Sequence, residues 1–188
     1  VLLSLLSWGA AKAQTTQPDI LISEIAYDTI LDDEFNEWFE LVIIADSIID
    51  AEGLKVGDEE TTGGGEGMMQ FPSGTTFESG EVIVIAQSAV DFNASYGFLP
   101  RFELTDSTAE VPDMIPVSSL ATGNLFLANG GDELLLLDAN DQLIDQISYG
   151  DKTTVLNPAI QSVPAGQTLE RFPPNCDTDM RSEEHTSE

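Results

Sequence analysis

Residues 123–150, GNLFLANGGDELLLLDANDQLIDQISYG, contain three short apolar runs separated by two polar turns. The first turn is residues 129–131 (NGG) and the second is residues 138–141 (DAND). Asn-Gly is typical of tight hairpins, because both central residues of a type I′ turn need positive φ angles. The stretch therefore predicts three antiparallel strands in an up-down-up meander.

Further short apolar runs lie upstream of this stretch. Residues 20–27 (ILISEIAY) and 37–45 (EWFELVIIA) predict two strands, and 80–87 (GEVIVIAQ) predicts a strand buried on both faces. Residues 54–56 predict a further short strand, and residues 89–96 predict one or two helical turns. No longer helical stripe is present, so the sequence predicts an all-β sandwich of about seven to nine strands.

The composition excludes several classes of function. The chain has 188 residues, 41% of them hydrophobic, and a formal net charge of −28. This length suits one domain. Binding to nucleic acid is not expected, because contacts with phosphate depend on Lys and Arg, and only 6 are present against 34 Asp and Glu. A single cysteine excludes a disulfide framework and a cysteine-based zinc site.

Both ends differ in character from the interior. Residues 1–13 are apolar and end in Ala-Lys-Ala, which predicts part of a signal peptide cut before Gln14. We therefore expect a secreted, cell-surface or periplasmic protein with no membrane span in the mature chain. Residues 181–188 (RSEEHTSE) are similar to the translation of a sequencing adapter and are predicted to be an artefact. The predicted domain, residues 14–180, keeps 4 basic and 31 acidic residues.

The ordered segments resemble a lamin tail domain of the type found in exported bacterial proteins. The resemblance rests on seven stretches that occur in the family's order: ILISEIAYD, NEWFELVIIA, IIDAEGLKVGD, FPSGTTFESGEVIVIAQS, DFNASYG, LFLANGGDELLLLDANDQLIDQISYGD and TLERFPPNCDTD. It implies an immunoglobulin-like β-sandwich that binds or assembles and does not catalyse. Val42 and Ile43 depart from the family pattern of an aromatic residue followed by Asn.

Catalytic motifs are not found in the sequence. The only histidine, His185, lies in the adapter-like tail, and neither G-x-S-x-G nor H-E-x-x-H occurs. Glu24 and Glu40 lie on predicted strands, where a ladder or hydrogen-bonding role is expected rather than acid-base work. The glycine-rich segment 63–67 (GGGEG) lacks the Lys of a phosphate-binding loop and predicts a mobile turn.

One pattern of acidic side chains predicts a metal site. Asn175, Asp177 and Asp179 stand at i, i+2 and i+4, as in the first half of a calcium loop. The alternative is a solvated turn, and no cofactor is then needed. Cys176, between them, is either unpaired or half of a disulfide with a partner beyond this sequence. The acidic residues from 28 to 34 predict a solvated connection, with a divalent ion as the alternative.

The sequence leaves three functions open. The first is a non-catalytic binding, anchoring or assembly module of an exported bacterial protein, with a protein or cell-surface component as partner. The second is the accessory N-terminal domain of a truncated exported hydrolase, a nuclease or phosphatase. The third is a calcium-dependent adhesion module.

Overall fold

The computed structural model describes residues 18–59, 62–105 and 107–174, and the backbone of Glu184–Ser187. The predicted signal segment, residues 1–13, lies outside the described residues. In chain order the elements are β1 (Ile20–Ala26), α1 (Asp33–Asn36), β2 (Trp38–Ile43), β3 (Ile49–Asp50), β4 (Lys55–Gly57), β5 (Met68–Gln70), β6 (Thr76–Phe77), β7 (Val82–Ala86), α2 (Ala89–Tyr96), β8 (Phe102–Glu103), β9 (Ile115–Pro116), β10 (Glu133–Leu137), β11 (Leu143–Ser148), β12 (Thr168–Arg171) and β13 (Glu184–Ser187).

Two main sheets form an immunoglobulin-like sandwich, which confirms the predicted all-β class. A six-stranded sheet has the order β13-β12-β1-β2-β7-β8, and a five-stranded sheet has the order β11-β10-β4-β5-β9. Strands β3 and β6 form a separate pair. Only the β7–β8 pairing within the described strands is parallel. The strands outnumber the predicted seven to nine, because several short pairings of two residues form strands of their own.

The core lies between the two main sheets and follows the alternation predicted for β2. On β2, Phe39, Leu41 and Ile43 are buried in the main hydrophobic cluster, whereas Trp38 and Glu40 lie on the outer face. The prediction that residues 80–87 are buried on both faces is wrong, because Val82 on β7 is 51% exposed on the outer face. An ion pair also crosses the sandwich, because Arg171 Nη2 on β12 lies 3.1 Å from Asp145 Oδ1 on β11. The Asp145 carboxylate also accepts the Ile22 N–H at 2.7 Å, next to the irregularity in β1.

Helix α2 has well-formed ends, and it confirms the helical turns predicted over residues 89–96. Ser88 caps its N-terminus, where the hydroxyl accepts the Asp91 N–H at 3.3 Å. Gly97 follows with a φ of 80°, a left-handed conformation that glycine adopts without strain, and its N–H donates to the Asn93 carbonyl. The helix therefore begins and ends where the sequence places it.

The first strand of the predicted meander is absent. Strands β10 and β11 form the predicted hairpin, but residues 124–128 do not pair as a strand. The backbone of this segment finds side-chain partners instead. The Phe126 N–H donates to Asp58 at 3.2 Å, and the Leu127 N–H donates to Glu37 at 3.0 Å. The segment is thus held by buried carboxylates rather than by a sheet.

The glycine-rich segment 63–67 forms the predicted turn, and its mobility stays a prediction. Gly64 forms a parallel bridge with Ala121, and the Gly67 N–H donates to the Asp58 carboxylate at 2.6 Å. A side chain on Gly67 would overlap the backbone of Leu125. The segment is therefore packed into the molecule at one end, and glycine is required there by close approach.

The last described strand, β13, pairs antiparallel with β12. The origin of residues 181–188 as adapter sequence stays a prediction. In the part of the chain that is described, no helix has the length and apolar character needed to cross a membrane.

Candidate functional site

The outer face of the six-stranded sheet carries a groove, here named the outer groove. It consists of two adjoining hollows that share Tyr96, Gly166 and Thr168. The sheet hollow, of about 310 Å³, lies over β1 and β2 beside helix α2. The loop hollow, of about 350 Å³, lies between the β1–α1 connection and the loop before β12. Both volumes are at the lower end of the range for ligand sites.

Four aromatic rings form one wall of the sheet hollow. Trp38 meets Phe92 and Tyr96 edge-on, with ring centroids 5.9 and 5.7 Å apart. The Trp38 indole N–H also donates to the Tyr96 hydroxyl at 2.9 Å. Phe98 packs edge-on against Phe92 at 5.2 Å. The buried rings of Trp38 and Phe92 thus hold the exposed rings of Tyr96 and Phe98 in place.

A row of three glutamates crosses the outer face of the six-stranded sheet, and two of them, Glu24 and Glu40, line the sheet hollow. Glu24 on β1 lies directly opposite Glu40 on β2 and Glu170 on β12. Ser23 donates to Glu40 at 2.6 Å, and Thr168 donates to Glu24 at 2.6 Å. Like charges at opposed positions destabilise a sheet. The row therefore has an energetic cost that hydrophobic packing at these positions would not have.

The electrostatic setting of Glu40 reflects this crowding. Burial raises the pKa of Glu40, the hydrogen bond from Ser23 lowers it, and the charge of Glu170 raises it again. The resulting pKa lies above the ordinary value. The ionised carboxylate is consequently a group that a neighbouring positive charge would stabilise.

The loop hollow has an apolar rim, and the loop beneath it is held by hydrogen bonds. Ile30 is 81% exposed and Leu31 is 58% exposed. Thr29 and Asn129 donate to Asp33, at 2.8 and 3.0 Å. Partial burial opposes ionisation of Asp33, but these hydrogen bonds outweigh it and lower its pKa. Within this acidic connection, Asp33 thus organises the loop.

A second group of acidic side chains is buried beside residues 126–128. Glu37, Asp58 and Asp132 are each at most 5% exposed. Burial raises the pKa of Glu37 to about 8 and that of Asp58 to about 7. The hydrogen bonds that both carboxylates accept from backbone amides lower the pKa, but by less than burial raises it. Burial also raises the pKa of Tyr149, whose hydroxyl donates to the Ala128 carbonyl at 3.0 Å. Shifted pKa values occur at functional sites. Here, however, the Glu37 and Asp58 carboxylates already accept hydrogen bonds from backbone amides, which is a structural role.

Metal binding finds no support within the described residues. No group of three or more His, Cys, Asp or Glu side chains among them is placed to hold a metal ion. The candidate calcium ligands Asn175, Asp177 and Asp179 lie outside the described residues, as does Cys176. The calcium hypothesis stays a prediction, which calorimetric titration of the full chain with calcium chloride tests.

The sequence pointed to part of the outer groove only. Glu24 and Glu40 were predicted to lie on strands in a hydrogen-bonding role, and both accept hydroxyl hydrogen bonds. Glu170, Tyr96 and Phe98 were missed as site residues. The alternation of β12 places Glu170 on the polar face, and this was the available signal. The groove is lined by hydrogen-bond acceptors and by aromatic ring faces, and both suit binding.

Comparison with known proteins agrees with this fold. The chain is similar to a solved structure, a DUF4876 family protein from Bacteroides thetaiotaomicron, with a TM-score of 0.58 and 13% identity. The match covers 82% of this chain and 62% of that one, so this chain spans less than two thirds of that protein. No curated protein matches the sequence. The model of the lamin tail domain family matches residues 13–151. This chain belongs to the lamin tail domain family.

Proposed function

We propose that the chain is a non-catalytic binding module of an exported protein and that the outer groove is its contact surface. The observation that carries the proposal is the gathering of exposed apolar side chains around the groove. Ile30, Leu31, Tyr96 and Phe98 line it and are each at least half exposed. Apolar surface of this kind, rimmed by polar groups, marks interaction sites in soluble proteins.

The exposed rings are also held in position before any partner arrives. Tyr96 accepts the Trp38 indole N–H and stacks on Phe92 with centroids 4.6 Å apart. A side chain that is already ordered loses little conformational entropy on binding. Aromatic residues held in this way are typical of the contacts that contribute most to affinity.

Export is the second part of the proposal. It is supported by the apolar segment 1–13 with its Ala-Lys-Ala end. The partner is a protein or a cell-surface component, which the groove contacts from outside the cell. Expression of the chain in a bacterial host behind a start methionine and a basic segment that complete the signal peptide, followed by sequencing of the mature N-terminus, tests this part. A mature chain that does not begin near Gln14 contradicts it.

Two leucines provide a matched test of the contact surface. Leu31 lines the groove, whereas Leu143 lies on β11 in the other sheet, and they are 58% and 52% exposed. Short peptides of basic, neutral and acidic composition are added to the isotope-labelled full chain, and amide chemical shifts are recorded. We expect shifts confined to the groove. Leu31→Ser should weaken binding about threefold or more, and Leu143→Ser should leave it unchanged.

The proposal fails if none of the three peptide classes perturbs groove resonances at millimolar concentration. It also fails if Leu143→Ser weakens binding as much as Leu31→Ser does.

A further inference from the structure

Resting on the function proposed for the outer groove, we propose that its occupant is an extended basic segment of a partner protein. A lysine or arginine side chain of that segment enters the sheet hollow, and a nearby apolar side chain enters the loop hollow. The two hollows differ in chemistry and adjoin each other along Tyr96, Gly166 and Thr168. A single extended segment can therefore reach both, with side chains two residues apart on the same side.

Charge selects a cation for the sheet hollow. Glu24 and Glu40 line it, and Glu170 stands directly opposite Glu24 on the next strand. A positive group placed over this row relieves the repulsion between opposed carboxylates.

The aromatic wall favours the same kind of group. Tyr96 and Phe98 are 50% and 53% exposed and stand beside the glutamate row. Cations are attracted to the faces of aromatic rings, and the alkyl stem of lysine or arginine packs against apolar surface. Within the same hollow Val84 supplies such surface. The carboxylates thus suit the charged head of a long basic side chain, and the rings suit its alkyl stem.

The loop hollow accounts for the second requirement, an apolar neighbour. Its rim is formed by Ile30 and Leu31, which are among the most exposed apolar side chains described. A small amine alone would leave this surface uncovered. The net charge of −28 also attracts a basic segment over a distance and repels an acidic one.

A fluorescein-labelled peptide, Gly-Leu-Gly-Lys-Gly-Leu-Gly with blocked ends, is the probe for the test. Its affinity for the full chain is measured by fluorescence anisotropy at about 0.15 M salt. Matched peptides carry norleucine or glutamate in place of lysine, and n-butylammonium serves as a competing small amine. We expect the lysine peptide to bind about tenfold more tightly than the norleucine peptide.

Substitutions in the chain locate the effect. The double variant Glu40→Gln/Glu170→Gln should weaken the lysine peptide about five- to tenfold and leave the norleucine peptide unchanged. The matched control is Glu52→Gln/Glu78→Gln, which removes the same charge from exposed positions outside the groove. We expect it to change binding less than about twofold. The comparison between peptides needs no variant, so the test does not depend on the folding of one.

Five results would overturn the inference. If both double variants lose the same affinity for the lysine peptide, the peptide is attracted by the net charge of the protein alone. Equal binding of the lysine and norleucine peptides, or tighter binding of the glutamate peptide, would leave the proposed function standing and remove the basic occupant. If n-butylammonium displaces the peptide at a concentration equal to that of the peptide, the occupant of the groove is a small amine and not an extended segment. If no peptide of this series binds while peptides of another composition still shift the groove resonances, the basic occupant is removed and the proposed function stands.

Discussion

Buried carboxylates replace a missing strand in this domain. Glu37 and Asp58 accept the N–H groups of Leu127 and Phe126, which would otherwise be unpaired within the protein. An unpaired buried amide is costly, so the carboxylates stabilise the segment. Their own burial is unfavourable when they are ionised, and this gives Glu37 a raised pKa of about 8. The same side chains therefore make stability depend on pH.

We predict that stability falls as pH rises from about 4.5 to 8. In this window the folded protein binds a proton at Glu37 that the unfolded chain has released, because its pKa is about 8 when folded and 4.5 ordinarily. Unfolding then releases a proton, and the free energy of unfolding falls by up to about 1.4 kcal/mol for each pH unit. Asp58 adds a similar contribution between its ordinary pKa of 3.8 and about 7.

Glu37→Gln isolates this effect, because glutamine keeps the shape and an acceptor oxygen without titrating. Urea unfolding at intervals between pH 5 and 8 should show the variant gaining stability relative to the native chain as pH rises. Glu52→Gln, at an exposed position, is the control and should show no such trend. A constant difference between the Glu37 variant and the native chain at every pH contradicts the prediction.

At the scale of elements, the segment 63–67 shows how a loop can be packed against its neighbours at one end. Gly67 lies against the backbone of residues 124 and 125, whereas Gly65, two residues earlier, has open space where a side chain would point. Neither glycine has a positive φ angle. The two positions therefore differ in packing and not in backbone strain.

We predict that Gly67→Ala lowers the free energy of unfolding by about 1–3 kcal/mol or more, because backbone atoms cannot yield as a flexible side chain can. Gly65→Ala should leave stability unchanged or raise it by up to about 1 kcal/mol, through a smaller unfolded-state entropy. Chemical denaturation of both variants checks the pair. Equal effects at the two positions would show that the packing of Gly67 is unimportant.

The elements themselves were largely predictable, and the exceptions have a physical reason. The alternation around Trp38 and Phe39 is local, so it reveals strand and face directly. Residues 124–128 have an equally good strand pattern, but their partners Glu37 and Asp58 lie far away in the chain. A local pattern contains no information on such partners. For the same reason the sequence indicated Glu24 and Glu40 and missed Tyr96, which folding brings beside them.

At the scale of the whole molecule, charge is the dominant feature. The chain carries 34 acidic and 6 basic residues. Mutual repulsion among surface carboxylates opposes the compact state, and salt screens it. The fold tolerates this charge because its apolar core between the sheets is continuous.

We predict that the melting temperature rises by roughly 5 °C between about 0.02 and 0.5 M sodium chloride at neutral pH. Thermal unfolding followed by circular dichroism measures it. The same series near pH 4 is the control, because many carboxylates are then protonated and less repulsion remains to be screened. An equal rise at both pH values would assign the effect to general exclusion of salt from the surface instead.

The contact between Trp38 and Tyr96 allows binding in the groove to be followed by tryptophan fluorescence. The sequence has two tryptophans, and the other is Trp8 in the predicted signal segment. A mature chain from Gln14, or the full chain with Trp8→Phe, emits from Trp38 alone. Since its indole N–H is bonded to the Tyr96 hydroxyl at 2.9 Å, displacement of that ring alters the polarity around the indole. Unlabelled protein thus contains its own fluorescent reporter of groove occupancy, suited to screening partners in solution.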